Sequence, residues 1–214
     1  MGILAARSLL YSFVSALFSS PASEKFELLR TAELQHGVRA SSRYLEEHPT
    51  LLAKNLDSLA KEIFAAISNG SEAIQTEYTK VFGHTLSKDT SPYELEHLKS
   101  KEVFSLTQAL ADINGFYKAF GLEVDAGERA DHVAIEAEFL SYLILKETIA
   151  SEADQAENAE VCRNAQRDFW KDHFFWWTDG FSNRLWKDPN TEFYRLASQY
   201  LSSFLETEQK FLGA

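Results

Sequence analysis

His132 and Glu136 lie four residues apart, so on a helix they share a face and can pair or supply half of a metal site. Glu94 and His97, within Glu94-Leu95-Glu96-His97, have the Glu-x-x-His spacing that di-iron helical bundles use on two of their helices. Together these four residues define one function class, a helical metal-binding enzyme using His132/Glu136 and Glu94/His97. A second pair of the His132–Glu136 quality is missing, and Glu94 with His97 is half of what a di-iron site requires. Cys162 lies in a helix beside Arg163 and reads as structural. There is no Gly-rich phosphate loop and no Ser-centred nucleophile elbow. The residue types give no further sign of a cofactor or of catalysis.

The same stretches suit the capture of a peptide. Ser91-Pro92-Tyr93-Glu94 and the segment from Gly127 to His132 are two loops that can meet. Pro92 fixes the first loop, and Tyr93 offers a flat apolar face with a polar tip. Glu94 and Asp131 can each accept a bidentate bond from an arginine. His132 can donate to a peptide carbonyl, and its ordinary pKa makes its charge respond to pH near neutrality. The candidate peptide-binding residues are Ser91, Pro92, Tyr93, Glu94, Asp131 and His132. A competing assignment makes Asp131 only a helix cap and Tyr93 a core residue.

Helices must position these groups. Asp131 is a suitable N-cap for a helix that runs through Leu145. Val133, Ala137, Leu140 and Ile144 make one apolar row of it, and Ile135, Phe139 and Tyr142 or Leu143 the next, a stripe wide enough for deep burial. Phe139 and Leu140 are therefore expected in the core. Gly121 to Ala130 reads as a charged loop leading in. Near the N-terminus, Ser8, Ser12, Ser15 and Ser19 fall on one helical face and Leu10, Phe13, Val14, Leu17 and Phe18 on the other. That pattern predicts a packed amphipathic helix rather than a signal peptide. A short helix ending near Gly37 follows. His48-Pro49 then marks a boundary before the stripe Leu52, Leu56, Leu59, Ile63 and Ile67, closed by Asn69-Gly70. Ser71 can cap a helix carrying Ile74, Tyr78, Val81 and Phe82, and His84 to Ser91 is a polar loop. Further stripes run from Val103 to Phe120, from Val161 through Phe169 and His173 to Trp177, and from Phe193 to Leu205, with a solvated acidic stretch at Ser151–Glu160. No stretch sustains period-two alternation. The expected fold is all-α, a single globular domain over residues 1–214 with about eight main helices.

The 214 residues are enough to bury roughly 70% of the unfolded surface without a staple. Cys162 is the one cysteine, so no internal disulfide can form and a reducing compartment is expected. A net charge of −11 argues against nucleic acid and favours a basic partner. No apolar run reaches the roughly 18–20 residues of a membrane span. The protein is read as cytoplasmic, without stable membrane insertion, and as a monomer or a segment-exchanged dimer.

Three patches together resemble the TorD, DmsD and NarJ family of redox-enzyme maturation chaperones. The first is Glu77-Tyr78-Thr79-Lys80-Val81-Phe82 followed by Ser91-Pro92-Tyr93-Glu94. The second, Asp131-His132 through Glu136-Ala137-Glu138-Phe139, is similar to the family's Asp-His…Glu-x-Glu-Phe signature. The third is Phe169, His173, Trp177 and Phe181, then Phe193-Tyr194-Arg195-Leu196-Ala197. The opening Leu9-Leu10-Tyr11 to Pro21 also resembles the family's first helix. Ala130 stands where the family often has Pro, and Leu95 where it often has Ser. The resemblance implies a cytoplasmic, all-helical chaperone without catalytic activity. Such a chaperone binds the catalytic subunit of a molybdenum-cofactor oxidoreductase, through its twin-arginine signal peptide or another part. It holds the client until the bis-guanine-dinucleotide molybdenum cofactor and partner subunits are in place, and then releases it for export.

Overall fold

The computed structural model describes residues 2–83, 90–125 and 127–213. Helices α1 (Ile3–Phe18) and α7 (Val133–Glu152) pack on each other more extensively than any other pair and form its centre. On α1, Leu10, Phe13, Val14, Leu17 and Phe18 are buried as the apolar pattern requires. The serine stripe does not simply face water. Ser12 Oγ meets Ser141 Oγ at 2.8 Å, and Ser141 Oγ donates to the Ser8 carbonyl at 2.8 Å, while Ser15 is buried. The small hydroxyls of Ser8, Ser12 and Ser141 thus let α1 and α7 approach closely and satisfy each other across the seam.

α2 (Glu24–Glu27) is a single turn, followed by α3 (Ala32–Glu46), which runs straight through Gly37. The glycine marks a contact rather than a stop. A Cβ there would lie 2.9 Å from Leu9 Cδ2, so its absence lets α3 sit against α1. α4 (Leu56–Asn69) begins later than Pro49 suggests. Leu52 and Asn55 adopt left-handed backbone (φ 46 and 61), which turns the chain, exposes Leu52 and buries Leu51 in its place. α5 (Ser71–Phe82) has Ser71 as its first helical residue, with Gly70 in the N-cap position. Of the polar loop expected at His84–Ser91, residues 84–89 lie outside the described residues.

α6 (Val103–Ala119) ends where Gly121 adopts left-handed backbone (φ 74). α8 (Ala156–Phe169) and α9 (Trp176–Lys187) are joined by a π-helical stretch, Trp170–Phe175, and α10 (Phe193–Leu212) closes the chain. α10 packs on α9 and α4. Its first N–H groups, on Glu192, Phe193 and Tyr194, donate to Glu77 of α5 at 2.8–3.1 Å, a cap delivered from 115 or more residues away. No strand occurs among the described residues. One isolated antiparallel bridge joins Tyr93 to His132.

One polar network crosses this apolar core. Arg7 of α1 is buried and donates through Nε and Nη2 to both oxygens of Glu208 on α10, each at 2.7 Å. Tyr11 adds a third donor to Glu208 at 2.9 Å. Arg7 Nη1 reaches Gln166 of α8 at 3.3 Å, and Gln166 donates on to Glu147 of α7 at 2.7 Å.

Phe139 is buried between Tyr117 and Phe169, both at 4.7 Å between ring centroids, and Leu140 is buried beside it in the chain. Phe139→Ala is expected to lower the unfolding free energy by roughly 3–5 kcal/mol in urea titration. Arg7→Met leaves Glu208 buried without its cation and is expected to cost roughly 3–5 kcal/mol, whereas the double change Arg7→Met/Glu208→Leu should recover about half of that or more. A double variant no more stable than Arg7→Met would show that the network is not what the single change breaks.

Candidate functional site

The two candidate loops do come together. Glu94 N–H donates to the Asp131 carbonyl at 2.8 Å, and Val133 N–H donates to the Pro92 carbonyl at 2.9 Å. Leu95 N–H adds a bond to the Asp131 carboxylate at 3.2 Å. The Tyr93 ring stands edge-on to the His132 ring at 5.0 Å. Residues 92–95 are thereby stitched to the start of α7.

The helix cap is His132, not Asp131. His132 Nδ1 accepts the Ala134 N–H at 3.1 Å, whereas the Asp131 side chain turns away toward Leu95 and Arg129. The Asp131 carboxylate is fully buried, so it takes the strongest donors within reach instead of a cap position shared with water. A ring nitrogen that accepts must carry no proton, and burial agrees: it pushes the His132 imidazole down to about 4. The switch near neutrality expected of His132 is therefore corrected. His132 stays neutral at pH 7, with its proton on Nε2.

The His132–Glu136 pair does not form. Glu136 is buried under α9, where Trp177 Nε1 donates to Oε2 at 3.1 Å. Its other oxygen makes no hydrogen bond to the described residues. Burial, reinforced by the charge of Glu94, pushes the Glu136 carboxyl well above the usual carboxylate range. Glu94 does not pair with His97 either. Trp176 Nε1 donates to Glu94 Oε1 at 2.8 Å, and His173 Nδ1 lies 3.4 Å from Oε2. His97 stacks on Trp177 at 4.9 Å, accepts from Arg184 at Nδ1 (2.7 Å) and meets the Ser91 carbonyl through Nε2 (2.8 Å). Burial lowers its pKa as well. Each of the four residues nominated for metal is thus engaged by protein groups other than its expected pair partner. Among the described residues no group of three or more His, Cys, Asp or Glu could hold a metal ion.

Beside this stitch lies an open cavity of about 600 Å³. Tyr93 and His132 line it, with Tyr78, Tyr117, Tyr142 and Phe139 as further aromatic walls. Glu123, Asp125, Glu128 and Glu138 bring four acidic side chains to it against Lys25, which is paired with Glu138. Tyr117 and Tyr142 are anchored through their hydroxyls, to the Ala130 carbonyl at 2.8 Å and the Phe120 carbonyl at 3.3 Å. Burial pushes Tyr78 up to about 12, so its hydroxyl remains a neutral donor. Ser91, Pro92, Glu94 and Asp131 lie behind this lining and support it. Sequence reasoning missed Tyr78, Tyr117 and Tyr142 as lining residues, because each also falls on an apolar row or beside one. The partial exposure of Tyr78 and Tyr142 separates them from the core, and exposure is a property of the assembled fold.

Fold and cavity define a class first: an all-helical protein built on one buried helix pair, with an acidic, tyrosine-walled hollow at the N-terminal end of α7. Comparison with known proteins then gives the family. A family model described as the nitrate reductase delta subunit matches residues 45–183, and the chain belongs to that family. A chlorate reductase assembly chaperone protein from Ideonella dechloratans is 30% identical over 146 residues, covering 67% of this chain and 72% of that one. The chaperone protein TorD from Vibrio parahaemolyticus is 24% identical over 217 residues, covering 96% and 94%. That from Aliivibrio fischeri is 26% identical over 214 residues, covering 97% and 94%. The protein is a chaperone of this family and not an enzyme. No helix among the described residues is long and apolar enough to cross a membrane.

The His132 cap has a pH signature. The folded pKa lies below the ordinary 6.5, so the neutral ring stabilises the fold fully above about pH 6.5, and that stability is lost as pH falls toward 4. Glu136, with its raised pKa, acts in the opposite sense, so a difference between variants is needed. Asn caps well and does not titrate. The stability of wild type relative to His132→Asn, from urea unfolding at each pH, is expected to fall by roughly 2 kcal/mol between pH 7 and pH 5. A difference independent of pH would mean that the ring is not held neutral.

Proposed function

We propose that the protein is a cytoplasmic, system-specific chaperone for a molybdenum-cofactor oxidoreductase. It binds the catalytic subunit through the twin-arginine signal peptide and assists cofactor insertion and assembly before export. The observation that carries this reading is the acid-rimmed, tyrosine-walled hollow beside Tyr93 and His132, in a chain whose relatives include a chlorate reductase assembly chaperone. A signal peptide of this type pairs two arginines with an apolar stretch. Glu123, Asp125, Glu128 and Glu138 suit the arginines, and the tyrosine faces suit apolar side chains. Tyr93 and His132 contact the peptide in this reading. Ser91, Pro92, Glu94 and Asp131 belong to the site as the residues that hold those two in place.

The test is titration of a labelled twin-arginine signal peptide, followed by fluorescence anisotropy, beside a peptide with both arginines changed to glutamine. Replacing two rim acids, Glu123→Gln/Glu138→Gln, is expected to weaken binding of the arginine peptide about tenfold at low salt. The deficit should shrink as salt rises, because rim charges are screened. The glutamine peptide should bind both proteins equally. If the wild type binds the two peptides with the same affinity, the twin-arginine reading is wrong.

A further inference from the structure

Within reach of the hollow, one seat for a guanidinium is already built and already filled. Arg129 donates through Nε to Asp131 Oδ1 at 2.9 Å and through Nη2 to Asp131 Oδ2 at 2.7 Å, a parallel fork on one carboxylate. Its Cζ lies 4.1 Å from the centroid of the Tyr93 ring, so the planar cation also rests on an aromatic plate. Its Nη1 is 3.8 Å from Glu96, which supplies a second negative charge. These are the three groups with which a protein recognises an arginine of another chain, and here they hold an arginine of the same chain.

The two halves of the pair differ sharply in burial. The Asp131 side chain is 0% exposed and that of Arg129 is 47% exposed. Asp131 is also tied down by Leu95 N–H, whereas Arg129 stands on a stretch outside any helix, two residues from its partner. The carboxylate belongs to the floor and the cation is laid on it from the surface. Tyr93, the plate under Arg129, is also a wall of the hollow, and Glu128, next in the chain, lines it.

We infer that Asp131, Tyr93 and Glu96 form an arginine-binding seat in which Arg129 is an internal stand-in, exchanged for an arginine side chain of the client peptide. This deepens the function proposed above and rests on it. Exchange, rather than opening, is what the physics demands, because a fully buried carboxylate stripped of its cation is strongly destabilising. Exchange also explains a preference for arginine over lysine. An ammonium can neither span both carboxylate oxygens nor stack flat on the tyrosine. Self-occupancy weakens the client's apparent affinity by the fraction of time the seat is filled from within, so the stand-in keeps the site closed to weak cationic peptides.

The experiment empties the seat and offers it a small substitute. Arg129→Ala is melted with increasing N-acetyl-arginine amide or, in parallel, N-acetyl-lysine amide, with the wild type alongside. The variant is expected to melt below the wild type, and arginine amide in the millimolar range should raise its Tm toward the wild-type value. Lysine amide should do far less, and the wild type should respond to neither. If Arg129→Ala is unfolded on its own, refolding by arginine amide but not by lysine amide, followed by circular dichroism, is the same positive result. Arg129→Ala/Asp131→Asn, which removes the buried charge, should melt above the single variant and lose the response. Equal effects of the two amides, an equal response from the wild type, or a response that survives in the double variant would each overturn the seat. Direct titration of the twin-arginine peptide reads the parent proposal separately. Arg129→Ala should bind that peptide about tenfold more tightly than the wild type does. A wild type that binds the peptide, with an Arg129→Ala that is blind to arginine amide, rejects the stand-in and leaves the chaperone reading in place. A specific amide response, with no peptide binding by either protein, rejects the twin-arginine reading and leaves a guanidinium seat.

Discussion

A carboxylate inside a helical core must find a cation, a set of donors or a proton, and that constraint shapes this protein throughout. Glu94, Asp131, Glu136, Glu147 and Glu208 are all buried. They meet the requirement in two ways, three through an arginine and two through an indole N–H. Glu208 takes the fork of Arg7 and the Tyr11 hydroxyl, and Glu147 takes Arg163 at 2.9 Å together with Gln166. Asp131 takes Arg129. Glu94 and Glu136 each take an indole N–H, and burial pushes the Glu136 carboxyl well above the usual carboxylate range. Because all of these partners but Arg129 stand on another element, satisfying the carboxylates fixes which elements lie side by side. Apolar packing holds the helices together without specifying register so sharply.

The π-helical stretch between α8 and α9 serves that requirement. In a regular helix, Trp176 and Trp177 would lie about 100° apart around the axis, with their bearing on the core set by the row that starts at Phe169. The wider turn at Trp170–Phe175 resets that bearing. The two adjacent indoles can then donate to carboxylates on two different elements, Glu94 before α6 and Glu136 on α7. The residues 92–95 segment is therefore held from both sides, by the backbone of 131–133 and by α9. It carries Tyr93 as a fixed wall of the hollow, although it has little regular structure of its own.

Much of this was legible in the sequence because it is local. Rows spaced at 3.6 residues identify α1, α4, α7 and α10, and they place Phe139 and Leu140 in the core. The Asp-His corner locates the start of α7 to within one residue. It misassigns the cap, because a free Asp outranks His at that position and nothing local shows that Asp131 is already engaged by Arg129 and Leu95. Gly37 reads as a stop because its reason for being glycine, Leu9, is 28 positions away on another helix. The serines of α1 read as one polar face, and nothing in their spacing shows that Ser141 of α7 meets them. Nothing local marks Arg7 for the core, and its partner lies 201 residues downstream. The errors share one form: periodicity reports which side of a helix is apolar, but it does not report which polar group waits on the neighbouring element.

The arrangement also divides the work of recognition between depth and rim. Glu138 at the mouth is 56% exposed, so its attraction for a cationic peptide is screened and speeds encounter more than it adds affinity. Asp131 lies at the opposite extreme. In the proposed exchange, one arginine leaves its carboxylate as another arrives, and the free energies of the two pairs nearly cancel. What does not cancel is the difference between a guanidinium and any cation that cannot reproduce the fork and the stack. Such a seat adds little net affinity for arginine and a large penalty against lysine. Affinity must then come from the tyrosine-walled hollow, where apolar surface is covered and no internal group has to be displaced. A site built this way is selective for the arginine and tight only when an apolar segment follows it.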